Sequence, residues 1–257
     1  IQCAILVLCM VLARTVAMTV NRWADAAFDA DNPRTAGRAI PSGRISTQFM
    51  LGAAIGCGIC FIAVTSGFWL LDNNPWPLIL GPLVLAYLAA YSFTKRFTWL
   101  CHLALGGALA MSPLAAVIAI EPAYLGKVEP FLLALVVICW VAGFDIIYAL
   151  QDVGIDRRQG LFSMPADLGV EPALWVSRTL HLAAAVALWG LWRAEAQLGA
   201  LFAIAVAATF GLLVVEHALV WGSRTHRIPV AFFAINGVIS LLLGAMGIAD
   251  VVRVLNR

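Results

Sequence analysis

The sequence predicts an all-α, polytopic bundle of membrane-spanning helices, and three observations carry that reading. Of 257 residues, 63% are hydrophobic and 12% charged, and mean hydropathy is +0.94. Soluble domains run about 45–50% apolar and about 25% charged, so a compact soluble fold of this length could not hide so much apolar surface. The apolar residues also fall in eight continuous runs, each near the roughly 20 residues a helix needs to cross a bilayer. Period-2 alternation, the mark of a membrane barrel, is absent, so helices are the spans. Disorder is excluded by the same composition. A net charge of +2 gives no ground for the concentrated basic face of a nucleic-acid binder.

The runs are about 1–24, 47–70, 76–93, 99–120, 129–150, 171–192, 198–221 and 229–250. The first opens at Ile1 within apolar sequence, without Met or a flanking charge, so a further helix ahead of it is expected. Arg14 and the acidic run behind it do not make the cleavage pattern of a signal peptide. In the second run, Gly52 and Gly56 are expected at a close helix contact. Cys57-Gly-Ile-Cys60 reads as small-residue packing, because no second ligand pair accompanies it. Asn73-Asn74-Pro75 turns the chain into the third run, and Glu121-Pro122 stands ahead of the fifth. Gly106-Gly107 reads as close packing in the fourth run, where His102 is expected to be structural or interfacial, as is His181 in the sixth. Glu216 and His217 are ionisable groups inside or near the seventh span, open between packing and substrate contact. Trp69, Trp76, Trp99 and Trp221 lie near span ends, as in an interfacial belt. Short connections make residues 1–257 one domain.

Orientation follows from the basic residues. Arg34, Arg38, Arg44, Lys95, Arg96, Arg157, Arg158, Arg224 and Arg227, nine in all, occupy one set of alternate loops. Lys127, Arg193, Arg253 and Arg257, four in all, occupy the other. The richer side is expected to be cytoplasmic, with both ends of this chain outside.

Half of the fourteen acids sit in two windows: Asp25, Asp29 and Asp31, then Asp145, Asp152, Asp156 and Asp167. Both lie at cytoplasmic ends, in the first and fifth spans, so the fold can bring them together. Asn21, Asp25 and Asp29 step by four, and Asp145, Tyr148, Asp152 and Asp156 by three, four and four. On continuous helices each set would line one stripe. Like charges at that spacing repel, so something positive must neutralise them. Mg2+ is commonly held by a carboxylate or two plus phosphate oxygens, and no His/Cys cluster competes for a softer metal. Arginines trail both stripes and suit phosphate oxygens. Carboxylates and guanidiniums facing one cavity therefore suggest a Mg2+-bridged diphosphate.

These residues resemble the UbiA superfamily of intramembrane prenyltransferases. Its first motif, N-x-x-x-D-x-x-x-D, stands as Asn21, Asp25 and Asp29, followed by Arg34-Thr35, Arg38, Pro41 and Gly43. Its second stands as Tyr148, Asp152 and Asp156, preceded by Asp145 and followed by Gly160, Ser163 and Pro165. The likeness runs along essentially the whole chain, within the 4-hydroxybenzoate polyprenyltransferase branch and its menaquinone-pathway relatives. Glu216-His217, Ala231-Phe232-Phe233 and Asn236 resemble the menaquinone-type subgroup. The resemblance implies two four-helix halves around a central cavity and nine helices, so the first family helix is expected to be missing here. Gly154 stands where relatives often carry an acid, and a loop-like end to that motif is expected, since Gly weakens a helix by about 1 kcal/mol.

The implied activity is transfer of a polyprenyl group from its diphosphate to an aromatic acid such as 4-hydroxybenzoate, in quinone biosynthesis. Asn21, Asp25, Asp29, Asp152 and Asp156 would hold Mg2+. Arg22, Arg34, Arg38, Lys95 and Arg157 would bind diphosphate. Asp145, Tyr148 and Arg96 would be catalytic. The partners implied are the polyprenyl diphosphate, the aromatic acceptor and the bilayer, with no nucleic acid and no obligate protein partner. The location implied is a bacterial inner membrane with the site facing the cytoplasm. A 1,4-dihydroxy-6-naphthoate acceptor is an alternative, as are, within the superfamily, a farnesyl transferase to haem and a lipid-phosphate acceptor enzyme. A cation or proton transporter is the alternative of another class, opposed by the placing of the acids at one face rather than at the midplane.

Overall fold

The computed structural model describes residues 1–222 and 225–256; Arg224 and Arg257, both counted for orientation, lie outside them. Among the described residues eight helices are long and apolar enough to cross a membrane, the third counted on to Arg96 and the eighth counted from Val230. They are α1 (Gln2–Ala24), α2 (Thr47–Asp72), α3 (Trp76–Ala90), α4 (Cys101–Ile120), α5 (Glu129–Ala149), α6 (Val170–Ala194), α7 (Ala200–Leu219) and α8 (Asn236–Leu255). A 3-10 turn, Tyr91–Arg96, prolongs α3, and a π-helical turn, Val230–Ile235, leads into α8. Each run expected to span forms such a helix, the conformation that satisfies its own backbone in a bilayer.

Local chemistry sets the boundaries. Ser46 caps α2, its Oγ accepting from the Phe49 amide at 3.1 Å. The helix ends on Asn73 at φ 53°, a left-handed position that Asn tolerates. Asn74 Nδ2 then donates to the Ile118 and Ala119 carbonyls at 2.7 and 3.1 Å, which ties that turn to the end of α4.

Helices α1, α2 and α3 pack on one another, α4 lies chiefly along α5, α5 along α6, and α7 along α8. The α4–α5 seam therefore joins the two halves. Helix α5 is the most enclosed, with 44% of its apolar window buried. Two glycines on this helix system allow the closeness. A Cβ on Gly106 would stand 2.6 Å from the Ile138 carbonyl oxygen, and one on Gly143 would stand 2.2 Å from the His181 ring. Gly52 and Gly56, expected in such a contact, have nothing within 4 Å of a built Cβ. They lie on an exposed face of α2, away from its contacts with the other described helices.

A polar network fastens the second half. Trp140 Nε1 on α5 donates to Asn236 Oδ1 on α8 at 2.7 Å, and Asn236 Nδ2 donates to Glu216 Oε1 on α7 at 3.2 Å. His181 Nε2 on α6 lies 3.3 Å from the Trp140 carbonyl, and its Nδ1 lies 3.0 Å from His217 Nε2. Four helices thus exchange hydrogen bonds around buried Glu216, and His181, read from sequence as structural or interfacial, is one of the ties.

Candidate active site

Both aspartate motifs lie where their helices stop, and the stop is what aims them. Helix α1 ends at Ala24; Asp25 is its cap at φ −90°, ψ 1°, and a five-residue helix, Ala26–Ala30, restarts beyond it. Helix α5 ends at Ala149, and Asp152 caps a second short helix, Val153–Gln159. The continuous stripes expected from the i, i+4 spacing are therefore broken in both motifs. Gly154 sits inside the short helix, and the break precedes it at residues 150–152, so the loop-like end expected at Gly154 is misplaced by a few residues. Each break turns the last acid of its motif inward: Asp29 and Asp156 are buried, as is Asp152.

The two segments meet. Asn32 Nδ2 donates to Asp152 Oδ1 at 3.0 Å, and Gln159 Nε2 donates to the Phe28 carbonyl at 2.9 Å. Arg34 forks onto Asp152, Nε to Oδ1 at 3.1 Å and NH2 to Oδ2 at 2.5 Å, while NH1 donates to the Tyr148 hydroxyl at 2.8 Å. Arg38 NH1 reaches both Asp29 oxygens at 2.6 Å. Lys95 Nζ pairs with Asp156 Oδ1 at 2.7 Å, and Ser163 Oγ donates to Asp156 Oδ2 at 2.9 Å. Three of the four expected metal-binding aspartates thus each hold one of the expected diphosphate-binding cations. Asp25 instead accepts from Asn21 Nδ2 at 3.1 Å.

Electrostatics follow that pairing. Burial, then the neighbouring Asp29 charge, pushes the Asp25 carboxyl up to about 6. Burial works against the Arg34 charge, but the Asp152 carboxylate more than offsets it and holds the guanidinium above its usual range.

The other expected site residues are placed less uniformly. Arg22 lines a cavity of about 150 Å³ with Asp29, Arg38 and Pro41. Arg96 donates to the Ala24 carbonyl at 2.6 Å and lies over the Phe28 and Phe93 rings, bracing the first break. Arg157 is exposed and donates to the Ala166 carbonyl at 2.9 Å, so it is not brought to the acids. Asp167 accepts from the Ser163 amide at 2.9 Å, a cap of the turn Met164–Asp167. Tyr148 stacks on Phe232 at 4.4 Å between centroids, Phe232 meets Phe144 at 5.2 Å, and Phe144 meets Trp140 at 6.0 Å. An aromatic wall thus descends from the acids into the bundle. Sequence reading did not single out Asn32 or Gln159, both polar residues in the two motif segments. It set aside His102, whose Nδ1 lies 2.6 Å from Asp145 Oδ2; an ionisable ring inside an apolar run was the available sign.

Comparison with known proteins gives one family. The sequence pattern of the UbiA prenyltransferase family matches residues 1–238. The 4-hydroxybenzoate octaprenyltransferase of Serratia proteamaculans (strain 568) is 32% identical over 59% of this chain and 50% of that protein. The enzyme of the same name from Chromohalobacter salexigens is 29% identical over 84% of this chain and 70% of that protein. The chain thus spans about half the length of the first of these relatives. The apo structure of a UbiA homolog from Aeropyrum pernix K1 superposes with a TM-score of 0.86 at 31% identity, over 97% of this chain and 89% of that one.

Proposed function

The chain belongs to the UbiA prenyltransferase family, and from that premise we propose that it transfers a polyprenyl group from polyprenyl diphosphate to an aromatic acid of the 4-hydroxybenzoate kind. Mg2+ is the cation of the proposal. The observation that carries the reading is the convergence of two aspartate segments, one from each half, each already interleaved with cations at 2.5–2.7 Å. The donor set suits a hard divalent ion, since it consists of carboxylates and one amide oxygen. Among the described residues no three His, Cys, Asp or Glu side chains close on a single point. An ion there would need phosphate oxygens to complete its ligands.

When bound, Mg2+ supplies positive charge to the diphosphate as its bond to the prenyl carbon weakens. Asn21, Asp25 and Asp29 on the first segment and Asp152 and Asp156 on the second would hold Mg2+, with phosphate oxygens completing its ligands. Arg34, Arg38 and Lys95 exchange carboxylate for phosphate oxygens and stabilise the charge growing on the leaving group; Arg22 borders the same cavity. The faces of Tyr148, Phe232 and Phe144 steady the positive charge at the allylic carbon and keep water from it. Asp145 faces the acceptor ring. The site opens on the side richer in basic loops, which is the cytoplasmic face of a bacterial inner membrane in this reading.

The test is transfer by purified protein in detergent with Mg2+, a polyprenyl diphosphate and 4-hydroxybenzoate, scored by product mass and released diphosphate. The wild type is expected to form prenylated acid, and Asp25→Asn and Asp152→Asn are each expected to abolish it while still inserting in the membrane. Full activity of either variant at saturating Mg2+ would overturn the metal assignment. Running 1,4-dihydroxy-6-naphthoate in parallel tests the acceptor, and cation flux in liposomes without diphosphate release would overturn the reaction.

A further inference from the structure

One buried ionisable group beside the site has no part in the chemistry above. The His102 side chain on α4 is 3% exposed and sits between two partners. Its Nε2 lies 3.2 Å from the Met164 amide nitrogen. An amide N–H can only donate, so Nε2 must offer its lone pair. The ring proton of the neutral imidazole is then on Nδ1, 2.6 Å from Asp145 Oδ2, and is donated to it. Met164 is itself held in place: it follows Ser163, whose hydroxyl is bonded to Asp156. The histidine is therefore clamped at one end by the segment that seats the second motif, and its tautomer is fixed.

That clamp shapes Asp145. The carboxylate projects from α5 one turn before Tyr148, with its side chain 24% exposed. Oδ2 is committed to His102, whereas among the described residues Oδ1 accepts no hydrogen bond. We propose that His102 is a positioning residue that pins Asp145 and leaves Oδ1 as the base receiving the proton released by the acceptor ring. The proposal rests on the prenyl-transfer reading. As the allylic C–O bond breaks, its electron pair leaves with the diphosphate. A ring carbon of the acceptor then forms the new C–C bond. The C–H bond at that carbon next returns its electrons to the ring, and the proton passes to Oδ1. A donor fixed on Oδ2 keeps the carboxylate from rotating or pairing elsewhere, so that its free oxygen meets the ring in one orientation.

The experiment compares His102→Phe, His102→Asn and His102→Gln in steady-state transfer with ring-protiated and ring-deuterated acceptor. Asn places an amide N–H near the position of Nδ1, and Gln places it near Nε2. Phe and Gln are expected to lower kcat about tenfold or more, up to the roughly 10²–10⁴-fold of a fully lost proton acceptor, with KM for the prenyl diphosphate unchanged. They are also expected to raise the ring-deuterium isotope effect to about 2 or above, since proton removal becomes the slow step. Asn is expected to recover most of kcat and a wild-type isotope effect. Equal behaviour of Asn and Gln, or a loss in Phe and Gln without an isotope effect, would overturn the positioning role. Absence of transfer by the wild type would instead overturn the proposed reaction, so the two failures are distinct.

Discussion

Asp25 carries more unrelieved charge than its companions. Asp29, Asp152 and Asp156 each sit within 2.7 Å of an Arg or Lys nitrogen, whereas Asp25 rests on an asparagine amide. Its carboxyl is accordingly pushed up to about 6, by burial first and by Asp29 second. Unfolded aspartate titrates near 3.9, so the folded chain holds this proton more tightly than the unfolded one. In the absence of metal, the stability Asp25 contributes is complete below about pH 4 and is lost as pH rises through about 6. Thermal unfolding in chelator across that window should show Tm falling with rising pH, and Asp25→Asn should flatten the slope. An unchanged slope in the variant would assign the dependence to another group. The sequence shows the acid and its spacing; it does not show that Asn32, Arg34 and Arg38 turn back on the other acids and leave this one aside.

Helices were legible because length and apolarity decide them. Every expected run became a helix long and apolar enough to span, and the ends moved by a few residues, as at α3, where a 3-10 turn continues to Arg96. The breaks at Asp25 and at residues 150–152 were not legible. An i, i+4 series reads equally well through a continuous helix, and only tertiary hydrogen bonds such as Asn32 to Asp152 reveal the stop. Small residues show the same ambiguity. Gly106 and Gly52 look alike in sequence, yet one Cβ would meet the Ile138 carbonyl at 2.6 Å and the other would meet nothing within 4 Å. Gly106→Ala must push α4 from α5 against backbone that cannot yield, costing about 1–3 kcal/mol by overpacking. Gly52→Ala relieves helix backbone entropy and should be neutral or stabilising, by up to about 1 kcal/mol. Detergent unfolding curves of the two variants check the pair, and equal destabilisation would refute the seam as the intolerant contact.

On the scale of the whole molecule, the two halves are joined at the site by the same charges that would bind substrate. Arg34 from the first segment holds Asp152 of the second, and Lys95 ahead of α4 holds Asp156. A diphosphate alone must draw guanidiniums away from carboxylates, leaving buried acids unpaired, which costs more than a new contact returns. A divalent cation alone must displace the guanidiniums from the acids and strands the opposite charge. Only the two together replace every ion pair: carboxylates turn to metal, cations to phosphate oxygens, and the net charge of the cluster stays close to balanced. Binding energy then appears as stability, about 2.7 kcal/mol at a ligand concentration one hundred times Kd. Inorganic pyrophosphate with Mg2+ should therefore raise Tm by more than the sum of the shifts each gives separately. Arg34→Gln should weaken that synergy, because it removes both the Asp152 fork and a phosphate ligand. Additive shifts in the wild type would mean that the two halves of the site fill independently and that the observed ion pairs are not exchanged on binding.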